Sequence, residues 1–257
     1  MYILAIETTG PYGSAAIIGQ DGQVKAFADS RNNLSHLKDL IPMVGQVIEE
    51  AGIAKSDISV IAPSVGPGSF TGIRIGVSTA RALAQAFGIR CIAVPTLDAF
   101  TFKSQVQEAK EAGMESGRQV VSCAILNARR GQVYGMVEGY MEAGPYMLTD
   151  VLQAITEKVL PEGRDVLFMG DGVDAYAAKI EEALAEYEER FAYAGEAFRY
   201  QDAAAVGKWA WVQIEAKGFE NCTVSVEELL PEYMRKAEAE QKLEAGELPI
   251  CKGPKQE

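Results

Sequence analysis

Gly66-Pro67-Gly68-Ser69-Phe70-Thr71-Gly72 joins an apolar run, Ile58–Val65, to a stretch of helical spacing that reaches Phe87 and stops at Gly88. The run reads as a buried strand and the stretch as a helix whose N-terminus rests on the loop. Three glycines and a proline permit tight turns and leave backbone N–H groups near that N-terminus, which suits an anion such as phosphate. A purely structural turn accounts for the same residues. The loop lacks the Gly-Lys-Ser/Thr ending of a Walker A loop. Pro67 and Thr71 also stand where a Gly-x-Ser-x-Gly elbow around Ser69 would need glycine.

Upstream, apolar alternation predicts strands at Tyr2–Glu7, Ser14–Ile18 and Gln23–Ala28, the last two turning through Asp21-Gly22. Ser35 precedes a helical face of Leu37, Leu40, Ile41, Val44 and Ile48 that ends at Gly52, with Pro42 predicting a kink or a late start. A strand at Arg90–Val94 follows the second helix, so the order is β-β-β-α-β-α-β. After a polar stretch at Gln105–Arg118 a similar order begins again. Strands are expected at Val120–Asn127, at Gln132–Glu138 across an Arg129-Arg130-Gly131 turn, and near Tyr146. Then come a helix from Asp150 to Val159, a strand at Asp165–Met169, and helices from Asp174 to Arg190 and from Asp202 to Lys217. A last ordered stretch is expected at Val226–Arg235, and a polar tail from Lys252. Strand meanders that feed alternating helices and strands predict an α/β fold, a mixed sheet covered by helices and made twice.

Composition narrows the function. The 257 residues are 48% hydrophobic and 23% charged, as in an ordinary globular protein. No apolar run approaches the ~18 residues of a membrane span, and the N-terminus has no signal-peptide features. Acidic residues outnumber basic ones 36 to 24, a net charge of −12 that repels nucleic-acid backbones and anionic membranes. Cys91, Cys123, Cys222 and Cys251 are widely spaced and read as reduced, buried filler in a cytoplasmic protein. His36 is the one histidine, so a catalytic triad or a multi-histidine metal site would have to be built around it.

Several positions invite a functional reading. Gly72, Gly76, Ala80 and Ala84 recur every four residues and form one stripe of small side chains on the second helix. Either a neighbouring helix of the same chain or a partner subunit could fill that stripe. Glu7-Thr8-Thr9 and Asn127-Ala128-Arg129 end the opening strands of the two halves and would face each other across a cleft. A phosphotransferase of this layout would carry aspartates there to hold a metal–nucleotide complex. Glutamate and an uncharged amide weaken that chemistry. Arg129 and Arg130 could clamp an anion or cap a solvated hairpin, while Asp171 and Asp174 read as a strand-to-helix turn and cap.

Ile3-Leu4-Ala5-Ile6-Glu7-Thr8-Thr9, the run from Gly66 through Ile73-Arg74-Ile75-Gly76, Ala128-Arg129-Arg130-Gly131-Gln132-Val133-Tyr134 and Pro231-Glu232-Tyr233-Met234-Arg235 together resemble the bacterial TsaB (YeaZ) family. The resemblance covers nearly the whole chain in order. It implies a role in making threonylcarbamoyladenosine at position 37 of transfer RNAs. The implied fold is actin-like (ribonuclease H-like): one subdomain of residues 1–103 plus about 203–240, a second of 104–202, and a tail of 241–257. The related catalytic subunit TsaD carries a His-x-x-x-His metal helix. Here that helix reads His36-Leu37-Lys38-Asp39-Leu40, so no metal site and no catalytic residue carries over. The family's usual aspartates are replaced at Glu7 and Asn127.

The resemblance therefore implies an accessory subunit that pairs with a TsaD-like catalytic subunit, recruits a TsaE-like ATPase and can self-associate through the same face. His36, Leu40, Gly72, Arg74, Gly76, Ala80 and Ala84 are the interface candidates. Glu7, Thr8, Thr9, Gly66, Gly68, Ser69, Thr71, Gly72, Asn127 and Arg129 are candidates for a residual nucleotide or anion site. No cofactor is expected on this chain alone, with ATP used by the complex and transfer RNA met only through it. An actin-fold small-molecule kinase or ATPase is the alternative, and a glycoprotease-like peptidase a weaker one, since no nucleophile has a recognisable base. The charge yields a direct test. In a gel shift at physiological salt the isolated chain should bind transfer RNA with Kd above ~10⁻⁴ M, and submicromolar binding would refute this reading.

Overall fold

A computed structural model of the protein describes residues 1–30, 36–102, 114 and 117–234. The expected tail from 241 and Cys251 lie outside the described residues, as does most of the polar stretch at 105–118. In the first sheet, β1 (Tyr2–Glu7), β2 (Ser14–Ile18) and β3 (Val24–Asp29) form an antiparallel meander, and β4 (Ile58–Gly66) adds parallel to β1. The strand expected at Arg90–Val94 is two short pieces, β5 (Arg90–Cys91) and β6 (Val94–Pro95), both parallel to β4, whose pairing with β6 shifts register between Ser64 and Gly66. The spatial order is β3-β2-β1-β4-β5.

The second sheet repeats this plan. A meander of β7 (Val120–Asn127), β8 (Gln132–Val137) and β9 (Met141–Met147) is followed by β10 (Asp165–Met169) and β11 (Phe191–Tyr193), both parallel, in the order β11-β10-β7-β8-β9. Read from the meander edge, both sheets place their third, second, first, fourth and fifth strands side by side. The doubled order expected from sequence is thus a doubled topology.

Helices cover both faces of both sheets. On one face of the first, Leu4, Ile6 and Ile17 meet α1 (His36–Glu50) and α2 (Phe70–Phe87) through Leu40, Val44, Val47, Ile73 and Val77. On the other face, Ile3, Ala5 and Ile18 pack with Ala203, Val206 and Ala210 of α6 (Ala203–Lys217). The second sheet packs one face on α4 (Leu148–Ala154), which continues through a π-type stretch, Ile155–Val159, and on α5 (Gly172–Ala183). Its other face meets Leu97 and Phe100 of α3 (Thr96–Thr101), a helix too short to show a full period in sequence. α3 also contacts α6, and α7 (Phe219–Cys222) follows α6 directly.

Several expectations change. α1 runs through Pro42 and begins at or before His36, so Pro42 does not mark its start. The helix expected from Asp174 to Arg190 ends at Ala183, because Leu184 and Tyr187 leave helical geometry before a 3₁₀ segment and the short β11. The buried Asp165 accepts from Arg190 Nε at 2.5 Å and fixes that turn. Val226–Arg235 forms no regular element among its described residues, although Leu229 is buried in the first core. Cys91 and Cys123 are buried filler, with burial pushing the Cys91 thiol up to about 11 and the Cys123 thiol higher still, while Cys222 is half-buried.

The small-residue stripe also needs correcting. Gly72, Gly76, Ala80 and Ala84 are all buried, facing the chain's own first sheet rather than a partner. Neither a helix nor a second subunit fills the stripe at its N-terminal end. The turn after β1 does: a Cβ on Gly72 would overlap the Thr8 carbonyl oxygen, and one on Gly76 the Thr8 hydroxyl. Small residues are needed because backbone meets backbone there. Replacing Gly72 by alanine should thus cost about 1–3 kcal/mol of stability despite alanine's higher helix propensity. Gly45, in α1 with nothing within 4 Å of an added Cβ, supplies the control: Gly45→Ala should stabilise by about 0.5–1 kcal/mol. Urea midpoints of the two variants check both signs.

Candidate functional site

The end of β1 and the glycine loop do come together. Glu7, Thr8 and Thr9 are 0%, 1% and 2% exposed. The Thr8 hydroxyl donates to the Gly72 carbonyl at 2.7 Å, and the Thr9 carbonyl accepts from the Ser69 N–H at 2.7 Å. Ser69 caps α2, its hydroxyl accepting from the Gly72 N–H at 3.3 Å and its carbonyl from the Ile73 N–H. The N–H groups of Ser69, Gly72 and Ile73 are therefore used inside the chain. A strap from the C-terminal side closes the loop further. The Glu232 N–H donates to the Val65 carbonyl, and the Glu232 carbonyl oxygen lies against Gly66. Tyr233 stacks on Phe70 at 4.6 Å while its hydroxyl accepts from Arg74 Nε at 2.9 Å, and the Arg74 guanidinium sits 4.0 Å over the Phe70 ring. Gly66, Gly68 and Gly72 pack against Glu232, Thr9 and Thr8 in turn, while Ser69 and Thr71 are exposed.

Glu7 lies beneath this turn. Its Oε1 accepts from the Thr9 backbone N–H and from the Thr9 hydroxyl at 2.6 Å. The chain of hydroxyls continues from Thr9 to Thr96 at 3.4 Å and from Thr96 to Ser64 at 2.7 Å. Glu7 Oε2 makes no hydrogen bond of normal geometry among the described residues, although the Ser64 hydroxyl interacts favourably with the carboxylate. Nothing in the sequence near Glu7 pointed to Ser64 or Thr96, because the sheet and α3 bring them in from 57 and 89 residues away.

The equivalent strand end of the second sheet is built differently. Asn127 is exposed, and its side-chain oxygen accepts from the Arg129 N–H at 2.9 Å. Its own N–H donates to Asp171 Oδ1 at 2.9 Å. Arg129, Arg130 and Gly131 all adopt left-handed φ, of 65°, 55° and 78°, and the Gly131 N–H donates to the Tyr176 hydroxyl. Asp171 was expected to cap α5. It makes no such cap bond and ties down the β7–β8 turn instead. Burial raises its carboxyl above the usual range, partly offset by the Asn127 N–H. Asp174 pairs with Arg199 at 2.8 Å. Among the interface candidates, Arg74 is exposed and Leu40 is buried with the stripe, while the His36 side chain lies outside the described residues. No group of three metal-ligating side chains occurs among the described residues.

A family model described as TsaD, tRNA N6-adenosine threonylcarbamoyltransferase, matches residues 31–243. The chain belongs to that family. Within it, the chain is similar to proteins named TsaB. The tRNA threonylcarbamoyladenosine biosynthesis protein TsaB of Bacillus subtilis is 29% identical over 250 residues, 94% of this chain and 97% of that protein. The Escherichia coli TsaB is 36% identical over 134 residues, 52% of this chain and 53% of that protein. YeaZ from Pseudomonas aeruginosa has the same fold, with a TM-score of 0.60 and 24% identity over 90% of this chain and 99% of that one. The two mixed sheets covered by helices are thus the YeaZ fold carried by a TsaB-like sequence.

The electrostatics of Glu7 have a measurable consequence. Desolvation by burial raises its pKa, with hydrogen bonds from Thr9 and Ser64 opposing and Asp202 adding to the rise. A carboxyl whose folded pKa is raised stabilises fully below its unfolded pKa and loses that stabilisation as pH rises through the folded value. Glu7→Gln keeps an acceptor for Thr9 and mimics the protonated acid. It should raise the urea midpoint at about pH 8 and change it little at about pH 4, near the ordinary glutamate pKa. Equal effects at both pH values would contradict a perturbed Glu7.

Proposed function

We propose that this chain is the accessory subunit of the machinery that makes N6-threonylcarbamoyladenosine at position 37 of transfer RNA, with the chemistry carried by a TsaD-like partner. The observation that carries this reading is the pairing of TsaB-like sequence along 94% of the chain with a β1 end whose carboxylate and hydroxyls are turned inward. A catalytic metal–nucleotide site needs those groups open to ligand. A TsaE-like ATPase joins the resulting pair, ATP is consumed by the complex, and transfer RNA is reached through it.

The docking face lies on the outer sides of α1 and α2. With the small-residue stripe buried, the exposed side of α2 presents Arg74, Ser78, Ala82 and Ala86, and that of α1 presents Ile41, Pro42, Gly45, Gln46, Glu49 and Glu50. Ile41 is 55% exposed, and Arg74, Glu49 and Glu50 are the charged groups among these residues. Small and apolar side chains at Ile41, Gly45, Ala82 and Ala86 suit the close approach of another helix pair, with the charges of Arg74, Glu49 and Glu50 around them.

The test pairs two arginine substitutions one turn-face apart. Ala82→Arg should leave thermal unfolding within about 0.5 kcal/mol of wild type and lower affinity for the catalytic subunit at least about tenfold. Ala80→Arg, on the buried side, should unfold the chain. Wild-type binding by a folded Ala82→Arg would move the interface elsewhere. Full threonylcarbamoyladenosine formation, read by mass spectrometry of transfer RNA digests, without this chain would end the accessory reading.

A further inference from the structure

Arg74 is exposed, yet its side chain is held by its own chain on two sides. The guanidinium lies 4.0 Å over the centre of the Phe70 ring, and its Nε donates to the Tyr233 hydroxyl at 2.9 Å. Phe70 and Tyr233 stack on each other at 4.6 Å, so the two rings brace one another as well. Tyr233 comes from 159 residues away, on a strap anchored by the buried Leu229 and by the Glu232 N–H, which donates to the Val65 carbonyl at 2.8 Å. This leaves the outer edge of the guanidinium open. The N–H groups of its two terminal nitrogens meet no acceptor among the described residues. Tyr233 beside it is 40% exposed, and Leu230 of the strap 61%. Ser78, Ala82 and Ala86 follow Arg74 along one line of α2 at steps of four, all exposed.

A surface arginine ordinarily samples many rotamers, and a partner that binds it must meet the entropy of fixing it. Here the ring stack and the Tyr233 hydroxyl have already fixed it. A pre-ordered arginine beside an exposed tyrosine has the composition of an interface anchor. We propose, resting on the accessory reading above, that Arg74 anchors the docking side of α1 and α2 by receiving a carboxylate side chain of the catalytic subunit between its two terminal nitrogens. The planar fork matches both oxygens of a carboxylate in a bidentate pair, which lysine cannot form. A phosphate offers the same oxygens with more charge. The exposed Glu232, next to Tyr233, and the chain's net charge of −12 oppose it.

Isothermal titration of the full chain with the TsaD-like subunit measures the anchor. Arg74→Lys keeps the charge and loses the fork, and should weaken pairing at least about fivefold. Arg74→Glu sets like charges against each other and should weaken it at least about a hundredfold. Lysine is then placed, one position at a time, at the exposed carboxylates of the catalytic subunit. One such replacement should recover at least about tenfold of the affinity that Arg74→Glu loses. Rescue from the partner's side cannot come from repair of this chain's own fold, so it separates binding from a structural role of the stack. Failure of every replacement to rescue would overturn the proposal, as would wild-type pairing by Arg74→Lys. Both results leave wild-type pairing and its loss in Ala82→Arg in place, so the accessory reading survives them. Absence of pairing by the wild-type chain would end both. Normal pairing by Arg74→Glu, with weaker transfer RNA binding by the assembled complex, would overturn the proposal and assign the guanidinium to a phosphate.

Discussion

The contact on which the first half of the molecule depends is that of Thr8 with the start of α2. The Thr8 carbonyl oxygen lies against Gly72 and its hydroxyl against Gly76, while that hydroxyl also donates to the Gly72 carbonyl. A helix with side chains at these two positions would stand away from the sheet. Ile73 and Val77, each 2% exposed, would then lose contacts with the core, and burial of each is worth about 1.5–3 kcal/mol. The same approach brings Ser69 to Thr9 and lets the Tyr233 strap lie over Phe70 and Arg74. Gly68 and Gly72 of the glycine loop thereby pack against Thr9 and Thr8.

The doubled topology settles where ligands and partners can act. α1 and α2 cover one face of the first sheet and α6 the other, while α4 and α5 cover one face of the second sheet and α3 the other. Strands buried on both faces have no side left for binding. What remains available among the described residues is the outer side of the helices and the sheet edges at β3, β5, β9 and β11. The proposed docking side of α1 and α2 lies there. That side combines small and apolar side chains such as Ile41, Ala82 and Ala86 with the charges of Arg74, Glu49 and Glu50.

Two strand ends in matching places of the two sheets have taken different roles. Glu7 ends β1 in a hydroxyl network with one carboxyl oxygen making no hydrogen bond of normal geometry among the described residues, and desolvation shifts it toward the neutral acid. Asn127 ends β7 in solvent, held by Asp171, Arg129 and Tyr176. Their hydrogen-bond partners form separate sets, one part of a core and the other part of a hairpin turn.

Local pattern carried much of this. Alternation and apolar runs marked β1, β2, β4, β7 and β10, because strands with a buried face must repeat with a period of two or stay apolar throughout. The doubled element order and the turn at Arg129-Arg130-Gly131 were legible for the same kind of reason: they depend on neighbours in sequence. α3 and β11 were not, since six and three residues are too few to establish a period. The stripe at Gly72, Gly76, Ala80 and Ala84 shows the boundary between the two. Sequence determined that something must approach α2 closely, because glycine in a helix has an energetic cost that packing must offset. Only the tertiary structure decided that Thr8 of the same chain makes that approach, because a small-residue surface accepts any backbone and bears no mark of which one. Glu7, Ser64 and Thr96 follow the same rule: their types are written locally, but their burial and partners come from β1, β4 and α3 meeting in space.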